Sequence, residues 1–360
     1  MKYLITLPFT FVMLFFACMD TQKIPITTAS IKKSPIFVGD TVSQLSFNIM
    51  VIYQDKKNNY WFGSWKDGLY KFNGTSIIHF TTKHGLSDNR VEEIKEDKYG
   101  NIFINTRAGL CKYDGKKIVP ISVASSISES KWELRPDDLW FKSSKLGYVC
   151  RYDGNSAMNL KIPNNKIIEK QLSKYSNAIE PHDIYCIYKD MRGNIWFGTA
   201  ITGALRYNGS AFDWISEPDV TELHNGPANG VRSIIEDKDG KFWFNCDYRY
   251  SIFDGPRLYE DKFYLREKSI GNLDGKKDSH LNEYLSIAKD HENSLWIATY
   301  RDGVWKYDGN TITHYTVQEN GKDVLLFYIY KDNHGKIWLG THEKGAFIFN
   351  GNEFKKFSPM

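Results

Sequence analysis

The side chains able to move a proton in this 360-residue chain are few and scattered. His182, His280 and His342 stand in connecting segments, with Arg232, Arg249, Arg301 and Glu283 within loop reach. A lyase or hydrolase needs such a His/Arg/Tyr cluster to remove or return a proton. No nucleophile elbow, His-Glu-x-x-His pair or paired metal signature accompanies them. Catalysis therefore ranks behind ligand binding and behind a protein-interaction scaffold. The acidic fragments "KDMRGNIWFGT", "EDKDGKFWFNC" and "KDNHGKIWLGT" invite a calcium reading, which fails on position. Counted from Asp237, Asp239 fits the third ligand place. The fifth is Lys241, the sixth is Phe242 where glycine is needed, and the twelfth is Tyr248. Asp and Gly so placed are what a tight turn between strands requires. The expectation is no metal and no cofactor.

Those fragments are copies of one element. An Asp stands six residues before an aromatic in Asp55/Trp61, Asp97/Phe103, Asp190/Trp196, Asp237/Trp243, Asp290/Trp296 and Asp332/Trp338. An isoleucine lies three residues before each Asp: Ile52, Ile94, Ile187, Ile234, Ile287 and Ile329. An aromatic-[Asn/Asp]-Gly triplet closes each copy, with Gly74, Gly115, Gly154, Gly209, Gly255, Gly309 and Gly351. The copy ending at Gly154 keeps Trp140 but has lost the leading Asp. Glycines spaced roughly 40–55 residues apart mean a repeat architecture.

One copy, "LLFYIYKDNHGKIWLGTHEKGAFIFNGNEFKKF", shows what the repeat must be. "LLFYIYK" is nearly all apolar, as a strand buried on both faces is. "DNHGK" turns the chain, "IWLGT" and "AFIF" are further strands, "NG" is a hairpin signal, and "EFKKF" alternates like an outer strand. No copy carries a 3.6-residue apolar period long enough for a helix. Four antiparallel strands repeated around an axis make a propeller blade. The expected fold is all-β: a seven-bladed β-propeller of four-stranded antiparallel blades over residues 45–360. The repeated aromatics fill the core between blades.

The pattern resembles the two-component regulator propeller repeat. "GLSDNRVEEIKEDKYGNIFINTRAGLCKYDG" (85–115) and "IYCIYKDMRGNIWFGTAITGALRYNGSAF" (184–212) carry the resemblance, which extends from about residue 45 to the end. In that family such propellers form extracytoplasmic sensor regions of bacterial histidine kinases, often in pairs, and bind glycans or other ligands. The resemblance thus implies a sensor-like role. One ring, with only nine residues after Gly351, departs from that plan: no kinase domain or membrane span is expected within the chain.

The start, "MKYLITLPFTFVMLFFAC", holds a 13-residue apolar run at 4–16, short for a bilayer span and right for a secretory leader. Ala17-Cys18 sits where a lipoprotein is cleaved, although Phe15 stands where leucine is usual. Residues 1–18 are expected to be a lipoprotein-type signal peptide with lipidation at Cys18. Residues 19–44 are expected to be a flexible tether. The localisation implied is the bacterial cell envelope, lipid-anchored, on the periplasmic side or the cell surface. Cys111 and Cys150 are expected to be small core residues, Cys186 lies in an inner strand and Cys246 stands where other copies have Thr; none is expected in a disulfide or a zinc site. A net charge of +4 without a Lys/Arg stripe gives no reason to expect nucleic acid.

Function is expected on the variable loops. The Asp-containing and [Asn/Asp]-Gly turns repeat on one face; the connections between second and third strands, and between blades, vary on the other. Four residues past each repeat aromatic stand Trp65, Arg107, Ser144, Ala200, Asp247, Tyr300 and His342. With their neighbours, the candidate ligand-binding set is Trp65, Lys66, Arg107, Tyr248, Arg249, Tyr300, Arg301 and His342. Aromatic faces beside Arg and acidic groups suit a glycan or peptide ligand. A separate membrane sensor protein is left open as a partner.

Overall fold

The computed structural model describes residues 39–125, 132–163, 183–217, 220, 230–244, 248–254, 263–268 and 284–359. Cys18, the leader and most of the tether lie outside them, as do Cys246, Asp247, His182, His280 and Glu283. Seven sheets follow one another around an axis, as the repeats require. Blade four shows the pattern: Ile184–Lys189, Ile195–Thr199, Ala204–Tyr207 and Phe212–Ile215 pair antiparallel in chain order from the axis outward. Blades two, five, six and seven have the same order. Blade one adds a fifth, outermost strand, Asp40–Val42, antiparallel to Ile77–Phe80. The sheet therefore takes in residues that composition assigned to the tether.

The core lies between the blades. Each of the seven blade interfaces has its own apolar cluster, and the repeat aromatic of every blade enters the cluster shared with the following blade. Trp61, Trp196, Trp243, Trp296 and Trp338 are all at most 3% exposed. The leading Asp explains its fixed distance from the Trp. Asp190 Oδ1 accepts the backbone N–H of Arg192 and Asn194, which shapes the turn, while Oδ2 accepts Trp196 Nε1 at 2.9 Å. The same Asp-to-indole bond recurs from Trp61, Trp243, Trp296 and Trp338 at 2.8–2.9 Å. One carboxylate thus orders a turn and orients an indole in the core, at buried positions where an unpaired N–H is costly. Among the described residues no strand is exchanged at ring closure. Tyr60 of blade one donates to Asp332 of blade seven at 2.7 Å, and Asn333 N donates to Gln54 Oε1 at 2.8 Å.

Gly63, Gly198 and Gly340 occupy one position in the second strand, where a Cβ would overlap Val91, Val231 and Ile49 at the start of the following blade. Blade three has Lys142 there instead, and it departs from the pattern more deeply. Its sheet runs Leu139–Lys142, Tyr148–Tyr152, Ala157–Lys161 and then Val123–Ser125, the last joined parallel on the outside. Trp140 marks Leu139–Lys142 as the equivalent of a second strand. Among the described residues, blade three has no inner strand.

Candidate functional site

The inner strands enclose a central cavity of about 830 Å³. Its wall includes the position five residues before each leading Asp: Met50, Glu92, Tyr185, Arg232, Leu285 and Phe327. The chain varies freely at this position, whereas the isoleucine two places later never changes. That contrast was the available signal for a channel-facing site, and loop variability alone missed it. At the next position, Ser233 Oγ accepts the N–H of Ile287 and Ser286 Oγ accepts that of Ile329, so the wall is stitched from blade to blade.

At blade three the wall is made by Lys142, Ser143, Ser144 and Leu146. Loss of an inner strand should leave the facing edge with unmet backbone groups, a costly state for buried atoms. Blade two supplies the partners. Lys142 N donates to Glu93 Oε2 at 2.7 Å, Asn105 Nδ2 donates to the Lys142 carbonyl at 2.9 Å, and Lys95 Nζ donates to the Trp140 carbonyl. Asn105 also donates to Glu93 at 2.9 Å, and Lys95 Nζ stands 3.4 Å from it. Burial opposes charge on Glu93; Lys95, Lys142 and the two hydrogen bonds outweigh it and hold the carboxyl below its ordinary value. Among the described residues three side chains of blade two thus meet this edge, and the cavity reaches Lys142, Ser143, Ser144 and Leu146.

Two arginine–aromatic stacks flank this gap. On the blade-two side, Arg90 lies 3.4 Å over the Trp65 ring and pairs with Glu92 at 2.9 Å. On the other, Arg232 lies 4.2 Å over the Tyr185 ring. Burial lowers the Arg232 pKa, against the pull of Tyr185 and Asp183. Stacking of this kind holds a guanidinium in place while its N–H edges remain directed. Lys95, Arg107 and Lys142 bring the cations of the wall to five, against the carboxylates of Glu92, Glu93 and Asp183. Arg107 is exposed, and among the described residues its side chain has no ion-pair or hydrogen-bond partner; its backbone N–H is tied to Arg90 O at 3.1 Å.

The eight candidate residues separate into three groups. Trp65 and Arg107 line the cavity. Lys66, Tyr300, Arg301 and His342 are on the same face by topology but outside the lining; Arg301 lies 5.6 Å over the Tyr300 ring, and His342 faces Glu343 at 3.6 Å. Tyr248 and Arg249 sit within the sheet of blade five. Tyr248 lies beneath Arg266 at 4.7 Å, and Arg249 pairs with Glu267 at 2.6 Å. The tertiary structure therefore does not gather all eight at one mouth. It brings Trp65 and Arg107 to one cavity with Arg232, which the sequence placed only in the lyase alternative, and with Arg90, Tyr185 and Phe327, which loop position did not select. Among the described residues no histidine lines the cavity. None of their helices is long and apolar enough to cross a membrane. Cys111, Cys150 and Cys186 are free thiols.

Residues 179–200 and 225–248 match the family model described as two component regulator propeller, so the chain carries repeats of that type. Histidine kinase P4 of Formosa agariphila is 23% identical over 256 residues, a match covering 66% of this chain and 17% of that protein. The chain thus spans a small fraction of that curated relative. Among solved structures, the extracellular domain of a proposed hybrid two component system, BT4673 of B. thetaiotaomicron, superimposes with a TM-score of 0.57 at 19% identity, over 87% of this chain and 40% of that one. Virginiamycin B lyase from Staphylococcus aureus gives 0.58 at 13% identity, over 85% and 96%. At these identities the structural likeness shows the propeller fold and nothing further.

Proposed function

We propose that this chain of two component regulator propeller repeats is an extracytoplasmic, lipid-anchored recognition module that binds a glycan or peptide ligand in the central cavity and does no chemistry. The observation that carries the reading is the cavity itself. It has the size of a small-ligand site, and its wall mixes aromatic faces with oriented cations. Of the groups the lyase alternative names, His342 lies outside the cavity lining, and His182, His280 and Glu283 lie outside the described residues. Propellers of extracellular two-component domains share the fold, which supports a sensor-like role and a separate membrane sensor protein as partner.

In this reading Trp65 and Arg107 touch the ligand. Lys66, Tyr300, Arg301 and His342 touch only a ligand long enough to spread over the face, and Tyr248 and Arg249 serve the blade. The test is a thermal-shift screen of oligosaccharides and peptides. A ligand specific to the folded state stabilises it by ~2.7 kcal/mol at a hundred times its dissociation constant. Alanine at Arg107 should weaken the hit at least tenfold, about 1.4 kcal/mol. Alanine at Asn194 or Asn333, in the opposite turns, should leave affinity unchanged. Loss of binding in the turn variants alone would place the site on the wrong face. For the anchor, Cys18→Ser should move the protein from the membrane to the soluble fraction; continued membrane association removes the lipidation claim.

A further inference from the structure

We infer that the cavity selects a ligand by an acidic group, the carboxylate or sulfate of an oligosaccharide, held at the blade-three gap between the two arginine stacks. The inference rests on the proposal that the cavity is the ligand site and names the ligand class. The charges around the gap are unequal in availability. Glu93 is used up by Lys142 N, Asn105 and Lys95. Glu92 is paired with Arg90. Lys142 supports the Glu93 carboxylate by its charge, while the Arg107 side chain has no ion-pair or hydrogen-bond partner among the described residues. The wall holds five cations against the carboxylates of Glu92, Glu93 and Asp183, an excess of positive charge. Guanidinium groups bind planar or tetrahedral oxyanions through paired N–H bonds, the strongest geometry open to a side chain in a half-desolvated site.

The same residues favour a saccharide over an acidic peptide. An extended peptide that binds by strand addition needs an open sheet edge. The innermost strand of each blade is a sheet edge toward the axis, but at the gap the Lys142 N–H, Lys142 carbonyl and Trp140 carbonyl are already taken by Glu93, Asn105 and Lys95. A ligand entering the gap meets side chains rather than a free ladder. Sugar rings need no ladder; they use directed polar groups and ring faces, which Ser143, Ser144, Tyr185 and Phe327 provide.

The experiment is calorimetric titration of the full chain with four probes: trigalacturonate, its fully methyl-esterified form, a sulfated galactose disaccharide, and tetraglutamate. Binding of trigalacturonate or the sulfated disaccharide is expected, and which of the two binds identifies the oxyanion. The neutral ester should bind at least tenfold more weakly. Arg107→Gln should weaken the acidic probe at least tenfold with an unchanged melting temperature, Arg107→Lys should restore part of it, and raised salt should weaken it further. Binding of the neutral ester with equal affinity overturns the acidic-group inference while the cavity reading stands. Binding of tetraglutamate alone overturns the saccharide assignment. If none of the four binds, the acidic-group inference is overturned; if the oligosaccharide and peptide screen is silent as well, the cavity reading falls with it.

Discussion

Blades three and four are neighbours with the same aromatic at the same place, Trp140 and Trp196, yet they are held in opposite ways. In blade four the inner strand Ile184–Lys189 pairs with Ile195–Thr199, and Asp190 closes the turn between them while binding the Trp196 indole. Among the described residues blade three has no such strand, and its copy of the repeat lacks the Asp. Trp132 packs against Trp140 at 5.7 Å and against Phe197 at 5.9 Å, Asp138 pairs with Arg151 at 2.6 Å, and blade two caps the exposed edge. The difference shows that a blade can lose its innermost strand when a neighbour supplies donors and acceptors for the freed edge. It also shows where a propeller can enlarge its channel without disturbing the interfaces that hold the ring.

The largest test of that contrast is removal of the two tryptophans. Trp196→Ala should cost ~3–5 kcal/mol, the range for truncating a buried aromatic. Trp140→Ala should cost less in a denaturant titration, because no buried Asp is left without its indole partner. Equal costs would mean that the Asp–indole bond adds nothing.

A smaller effect, about 2 kcal/mol, is expected from Glu93→Gln, which weakens the cap on blade three without emptying space. The sign of its pH dependence follows from the depressed carboxyl. Its stabilisation is fully present above the ordinary value of 4.5 and is lost as pH falls through the lower native pKa. Glu93→Gln should therefore narrow the stability gap to the parent as pH drops below that value. A gap that widens in acid would show that Glu93 is neutral in the native ring.

Asp190→Asn keeps a polar group in the turn but gives up the charge that binds Arg192 N, Asn194 N and the Trp196 indole; ~1–2 kcal/mol should be lost. Asp138→Asn should instead act through Arg151, so adding Arg151→Ala to it should cost little more.

The smallest expected effect is a null one. Cys186 borders the cavity from the inner strand of blade four, and burial pushes its thiol up to about 12. An aromatic disulfide reagent at pH 8 should leave it unlabelled until denaturant is added. Fast labelling of the native protein would mean that the wall at blade four opens as the one at blade three does.

Much of this architecture is legible in the linear chain because it is local. The Asp-x-x-Gly and [Asn/Asp]-Gly signals turn the backbone within a few residues, and the apolar runs between them state strand length directly. Seven such units of one size leave a closed ring as the way to bury both faces of each sheet. Even the anomaly was visible in outline, since the copy around Trp140 lacks its leading Asp.

What that loss does was not legible. Nothing in "VEEIKE" says that Glu93 and Lys95 serve as backbone partners for another blade, because the edge they cap lies some 45–50 residues away in sequence. The candidate site was half legible for the same reason. Trp65 and Arg107 were found by loop position. Arg232 was named only for the lyase alternative, and Arg90 and Tyr185 were not named at all, since an inner strand is apolar on average, and only ring closure decides which of its side chains face the axis. Arg249 illustrates the converse: its loop-like surroundings suggested a mouth residue, but pairing with Glu267 across two strands holds it in the blade. Turn chemistry and strand period act over a few residues and are written in the chain. The position of a charge relative to a cavity depends on the rotation of each blade about a common axis, and that rotation is set by packing between residues far apart in sequence.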